Sequence, residues 1–592
     1  MKFIYRALLV LVFCSALSAQ NKTENNFEIR GVLPWHNFLS GPSAWDLKDY
    51  ENYLDELQKE GINFIGFHNY TGGGERYASY VEPMIKIKYK NVLPEACFDN
   101  SSTARWGYTP MNIQDFAFST SEVFKNYKDV FGADCSVTSR SKEEHYLKAQ
   151  QMMKSVMDIA HSKGIKFAMG FEFGVHPPEY FSLRGEAGFY WPGQANMIPN
   201  PADYQSVQIL YAALDNILEA YPGIDYIWLW LNEHSFMGVN LDQALGTPSF
   251  KQLYDKYNKY FEETGDDRAS RFIGAWSLSY IQLAQDYLKM KNSSARLMIG
   301  GWGGGNQLPL ILKGLDRGLS RDIIFSLLNP NLGQEDPPAF LGEISKNRDV
   351  ISVPWLEGDH QLWQLQPRVE LMKKHVKLAR EMKLQGVAAI HWRTEETKLN
   401  FLTFARTAGN SEYNLSTKEI YYNWLKDNCG EKAAAELAVD LAAWDIEKWY
   451  CGKTEEYYGY NPQWGRLDAS TRKKLTLIAD KIGIIIKSSD DKKEKDNLKW
   501  IRSKIVFNLL LDETGRAIEP AWLLRSRYAS GTVKPGSDET GNARKMLESA
   551  PVKELFETFA SAVRSKGELG ELSSMNQKLW REYLELQNFL KQ

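Results

Sequence analysis

Four stretches of the chain end in groups able to move protons. IDYIWLWLNEH (224–234) ends in Asn232-Glu233-His234, and ISVPWLEGDH (351–360) carries Glu357, Asp359 and His360. KFAMGFEFGVH (166–176) carries Glu172 and His176, and GVAAIHWR (386–393) carries His391, Trp392 and Arg393, with Glu395 and Glu396 just beyond. Two carboxyl groups on either side of a sugar linkage are what glycosidic cleavage requires, one protonated to assist the departing oxygen and one ionised. A gap of about 5–5.5 Å makes the second a nucleophile, and about 6.5–9.5 Å leaves room for an activated water. Sequence does not fix that gap. Glu233 is the first candidate acid or base, and Asn232 beside it can hydrogen-bond a sugar hydroxyl.

Imidazoles collect at the same places. Of nine histidines, six (His36, His68, His176, His234, His360 and His391) fall at or just after an apolar run, while His145, His161 and His375 lie in helical stretches. Taken singly, each fits a satisfied structural histidine; the set marks one rim as a site. They open a second chemistry, in which a base takes the C5 proton of a terminal uronate, a cation holds its carboxylate and a group leaves C4. His68, His234, His391 and Arg393 are candidates for those parts. A rim that only binds sugar is a third possibility, although it has more titratable groups than adhesion needs. No CxxC or HExxH spacing is present, so neither a metal nor another cofactor is expected.

The elements that must position these groups alternate regularly. Strands are predicted at 31–36, 62–68, 166–176, 224–234, 296–305, 322–330, 351–360 and 386–393, most of them separated by segments long enough for crossover helices. Eight such units predict a (β/α)₈ barrel over residues 20–415, whose reactive side chains leave the packed interior at the carboxyl ends of the strands. Asp46 and Gly61 bound the first helix, and residues 69–140 form a long insertion after strand two. From 416 to 592 the periodicity is helical, in segments such as EKAAAELAVDLAAWDIEKW, and DDKKEKDN (490–497) reads as a solvated charge run. The fold class is therefore α/β, a barrel followed by a mainly helical C-terminal domain.

The asparagine-glutamate pair ending strand four and the glutamate ending strand seven resemble the clan A glycoside hydrolases. The likeness covers about Gly31 to Asn400. It implies that Glu233 is acid/base and Glu357 nucleophile, although the Gly-Asp-His after Glu357 leaves open whether Asp359 takes that place. PWHNF in strand one and NFIGFHNYTGG in strand two are similar to exported bacterial sugar enzymes, including α-glucuronidases.

Composition narrows the setting. The 592 residues are 43% apolar and 24% charged with a net charge of -3, which gives no basis for a nucleic-acid partner. Arg76 and Arg105 in the insertion and Arg393 at strand eight suit an anionic oligosaccharide, while rings such as Trp302 and Trp392 could wall a cleft. A salt bridge to a rim carboxylate is the competing role for the arginines. Residues 1–19 have the basic start, apolar run and small-residue exit of a signal peptide, with no small residue ahead of Cys14 to make a lipoprotein site. No later run spans a membrane, so a secreted or periplasmic protein is expected. Oligomeric state is left open. Local pairing of Cys97 with Cys135 and of Cys429 with Cys451 is the simplest disulfide pattern, against free buried thiols.

Overall fold

The computed structural model describes residues 27–36, 40–69, 84–93, 111–125, 129–173, 178–180, 182–183, 187–190, 197–231, 240–264, 267–301, 308–448, 459–532 and 538–591. Eight parallel strands close into a barrel. They are β1 Ile29–Pro34, β2 Phe64–Asn69, β3 Lys166–Phe173, β4 Tyr226–Leu231, β5 Arg296–Gly300, β6 Ile324–Leu328, β7 Val350–Val353 and β8 Gly386–His391. Each pairs with its sequence neighbours, and β1 pairs with both β2 and β8 to seal the ring.

The strands are shorter than the apolar runs that announce them. Strand seven is the clearest case. Pro354 has no N–H to give the ladder, so β7 stops at Val353 and only Trp355 bridges back to Ile390. Glu357 therefore lies four residues past the strand, in a turn, and not at its end.

The outer helices are α1 Leu47–Lys59, α2 Lys142–Ser162, α3 Tyr204–Ala220, α4 Arg268–Met290, α5 Leu308–Gly318, α6 Val369–Glu381 and α7 Lys398–Ala408. Asp46 caps α1 in a reciprocal box with Asp49, and Gly61 follows with φ +73°. Between β6 and β7 the crossover holds only single-turn helices. Helices α8 Thr417–Cys429, α9 Glu431–Glu447, α10 Ala469–Ser488, α11 Lys492–Ala529, α12 Asp538–Glu548, α13 Val552–Ser561, α14 Lys566–Met575 and α15 Arg581–Lys591 make the C-terminal region. The solvated charge run forms the first turns of α11, and a π-turn, Asn576–Trp580, joins α14 to α15. No helix of the described residues is long and apolar enough to cross a membrane.

Alternate residues of each strand face the barrel interior, as the two-residue period requires. Ile29, Leu33, Phe64, Ala168, Met298 and Ile351 fill its base. Trp228 and Trp230 fit because Gly66 and Gly300 stand opposite: a Cβ on either would come within 2.6 or 2.7 Å of the Trp228 ring. Above them Trp35, Trp230, Trp355 and Trp392 interlock, with Trp35 edge-on to Trp230 at 5.5 Å and Trp355 5.6 Å from Trp392. Cys429 is a free buried thiol whose pKa burial pushes up to about 12, so its pairing with Cys451 is not made. Cys97, Cys451, the signal segment and residues 70–83, 94–110 and 126–128 of the insertion lie outside the described residues.

Candidate active site at the carboxyl mouth of the barrel

The interior positions at the carboxyl ends of β2 and β3 are His68 and Glu172. Both are buried, at 1% and 3% exposure. His68 stacks on Trp35 with centroids 4.1 Å apart and rings 14° from parallel, and meets Trp230 edge-on at 5.2 Å. Burial holds its imidazole well below the usual histidine range, so it is neutral at pH 7. Its Nε2 stands 3.7 Å from Glu172 Oε1, just beyond a hydrogen bond. Glu172 is in register with Trp230 of β4, and in the sequence Leu231, the last residue of β4, is followed by Asn232-Glu233-His234. A carboxyl group beside a neutral imidazole, on an aromatic floor, thus occupies the strand next to the one that leads to Glu233.

Glu357 is placed quite differently. Its side chain has 0% exposure, as has that of Arg393. Oε1 accepts from the backbone N–H of Trp392 at 2.9 Å and of Arg393 at 2.6 Å, and Oε2 accepts from Arg393 Nε at 2.7 Å. Arg393 spends its other donors on the carbonyls of Leu362 and Gln364. The expected nucleophile is a buried ion pair with both oxygens engaged, and the expected anion fork is its partner. Neither has a face left for substrate. The ion pair fixes the turns after β7 and β8 to each other.

His391 and His36 are likewise committed inside the protein. His391 Nδ1 faces the Arg393 carbonyl at 3.1 Å, which only accepts, so Nδ1 carries the proton and Nε2 receives the Tyr53 hydroxyl at 2.7 Å. His36 Nε2 meets the Tyr50 hydroxyl at 2.9 Å. Tyr50 and Tyr53 lie one turn apart on the inner face of α1. Burial pushes His391 down to about 4, and burial with the nearby His391 pushes His36 down to about 3. Expected as base and substrate ligand, they serve instead to seat α1 on the barrel. Trp392, expected as a stacking wall, is fully buried in the interior cluster.

Asp359 and His360 form a 3₁₀ turn after β7, Asp359–Gln361, with side chains 15% and 19% exposed and 3.6 Å apart. Both are in partial contact with solvent, as is Glu395 after β8. Asn232, Glu233, His234, His176, Trp302, Arg76 and Arg105 lie outside the described residues. Among the described residues no group of three or more His, Cys, Asp or Glu side chains could hold a metal ion.

Some contributors had no signal in the sequence. The tyrosines of α1 show an amphipathic spacing that says nothing of their histidine partners. Lys504, whose Nζ lies 2.6 Å from Glu396 with both side chains buried, is 108 residues away along the chain.

No family model and no curated protein matches the chain. Among solved structures it resembles a family GH115 4-O-methyl-α-glucuronidase, BtGH115A, with specificity for decorated arabinogalactans, at 10% identity and TM-score 0.48 over 94% of this chain and 62% of that one. It also resembles a GH138 enzyme targeting pectin rhamnogalacturonan II, at 11% identity and TM-score 0.44 over 95% of this chain and 67% of that one. A third is a Thermobaculum terrenum O-GlcNAc hydrolase mutant, at 13% identity and TM-score 0.42 over 95% and 96%. Likeness at this level leaves substrate and reaction to the chain's own residues.

Proposed function

We propose that this chain is an exported glycoside hydrolase that cleaves oligosaccharides from an acidic polysaccharide at the carboxyl mouth of its barrel. Glu233 is the acid/base, and Glu172, in place of Glu357, is the second carboxylate. The observation that carries the proposal is the buried Glu172 at the mouth, in register with Trp230 of β4, the strand that Asn232-Glu233 follow in the sequence. Beneath it, His68, Trp35 and Trp230 pack as a rigid, buried aromatic layer that holds the carboxyl group in place.

Asn232, His176, His234 and Trp302 are the proposed substrate contacts, with Asp359 and His360 at the outer rim. With Arg393 engaged by Glu357, preference for an anionic sugar rests on Arg76 and Arg105 in the insertion after β2. Export rests on the signal-like residues 1–19. The elimination route is weaker, because His391 and Arg393, two of its four proposed parts, have their donors and acceptors occupied within the protein.

Substitution separates the carboxylates. Glu233→Gln and Glu172→Gln are each expected to lower turnover on a cleavable oligosaccharide by about 10²–10⁴-fold with an unchanged circular dichroism spectrum. Wild-type turnover in both variants would overturn the assignment.

A further inference from the structure

Helix α14 lies across the carboxyl rim of the barrel and touches four of its loops. Gly567 packs so tightly on the turn after β1 that a Cβ there would stand 2.6 Å from Gly41 Cα. Glu568 Oε1 accepts from the backbone N–H of Glu395 after β8, at 3.2 Å. Ser574 Oγ accepts from Trp363 Nε1 after β7, at 3.3 Å. In the π-turn, Asn576 donates to the Asp115 carbonyl at 2.7 Å and accepts from Ala117 N at 2.6 Å, in the segment after β2.

At the centre of this interface two carboxyl groups meet. Glu396 and Glu568 are buried at 4% and 0% exposure and lie close together. Glu396 Oε1 accepts from Lys504 Nζ on α11, at 2.6 Å. Glu396 Oε2 and Glu568 Oε2 have no donor among the described residues. Two neighbouring buried carboxyl groups, each with one such oxygen and with a single ammonium against Glu396, favour the state in which one of them keeps its proton. The other charges facing the pair are Arg393 at the end of β8, Glu395 beside it, Glu571 on α14 and Arg564 just before α14.

We propose that Glu396 and Glu568 hold one proton between them, and that this acid pair latches α14 across the mouth of the barrel. Glu568 is then a positioning residue: through Glu395 and Glu396 it fixes the loop after β8, and α14 becomes a wall of the site whose seating depends on pH. Lys504 sets which carboxyl is charged, because its ammonium lies against Glu396. Glu568 keeps the proton, and its burial and the neighbouring Glu396 carboxylate favour that form. A group held protonated in the folded state stabilises it below its unfolded pKa, near 4.5 here, and loses that contribution as pH rises through its folded value. Loss of the proton leaves two buried carboxylates against one ammonium, which weakens the seating of α14.

The proposal does not depend on sugar chemistry, and neither does its test. Infrared difference spectra of the wild-type protein in heavy water at about pH 5.5, above the ordinary glutamate range, are expected to show the carbonyl stretch of a protonated carboxyl, absent in Glu568→Gln. Hydrogen exchange of residues 566–575 is the second readout. Its protection factor is expected to fall about tenfold per pH unit once the shared proton is released, and to stay level in Glu568→Gln, which carries a neutral donor. Should that variant not fold, the same infrared band is sought in the wild type and in Glu396→Gln. No protonated carboxyl band in the wild type, or the same pH dependence of protection in Glu568→Gln, would overturn the latch.

Discussion

Replacing Glu357 by glutamine tests whether this residue is structural or catalytic. In the folded protein its carboxylate accepts three hydrogen bonds, at 2.9, 2.6 and 2.7 Å, and neutralises an arginine with no exposure of its own. Glutamine keeps an oxygen for the two backbone donors. Its amide nitrogen then points a donor at the Arg393 Nε donor, and the guanidinium is left buried with only the Leu362 and Gln364 carbonyls. Breaking a buried pair in this way costs about 3–5 kcal/mol. With an unfolding entropy of about 2.1 cal/mol/K per residue, a chain of 592 residues unfolding as a unit has roughly 1.2 kcal/mol/K. The melting temperature should therefore fall by about 2.5–4 °C. Differential scanning calorimetry reads this directly, and turnover below the transition should survive. An unchanged melting temperature with turnover abolished would refute the structural role and restore Glu357 as the nucleophile.

Three further outcomes follow from the same geometry. Tyr53→Phe removes the donor to His391 Nε2 and should cost about 1–3 kcal/mol in denaturant melts while leaving turnover intact; a variant as stable as wild type would contradict the α1 anchor. Gly567→Ala puts a methyl group 2.6 Å from Gly41 Cα, and should raise hydrogen exchange in α14 and in residues 41–44, at a cost of about 1–3 kcal/mol; unchanged protection there would contradict the close approach. Acid should unfold the protein early. His36 is pushed down to about 3, His375 and His391 to about 4, and His68 well below 6.5, all chiefly by burial. Depressed histidines stabilise the fold above their unfolded pKa of 6.5 and lose that contribution as pH falls toward their folded values. With four such groups the loss approaches roughly 5 kcal/mol per pH unit near pH 5, offset in part by Glu568. A melting temperature constant from pH 7 to pH 5 would contradict their burial as neutral rings.

How much of this was legible beforehand depended on the range of the interaction. The barrel could be read because its cause is local: each strand is a run such as IDYIWLWL, and most crossovers have their own helical period. The rim could be read for the same reason, since a strand's end is visible where its apolar run stops. What each rim residue does there could not be read, because that depends on contacts made across the chain. Glu357 and Glu172 look alike in sequence, a glutamate after an apolar run. One is closed in by Arg393 and two backbone N–H groups, while the other faces His68 at the mouth. Pro354 was the available hint, since it ends β7 early and carries Glu357 into a turn. The histidines misled in a related way, because a ring at a strand end is equally well placed to receive a tyrosine from the next helix. The acid pair under α14 joins residues 172 positions apart, beyond the reach of any spacing rule.

The central claim is hydrolysis of a sugar linkage at the mouth, and mass spectrometry of products tests it most directly. The protein is incubated with neutral and acidic oligosaccharides in ¹⁸O-enriched water, beside Glu233→Gln. The expected result is cleavage products that have gained the elements of labelled water, preferentially from an acidic oligosaccharide, and their loss in the variant. Products that lack the added water and absorb in the near ultraviolet, or the same turnover in Glu233→Gln, would contradict it.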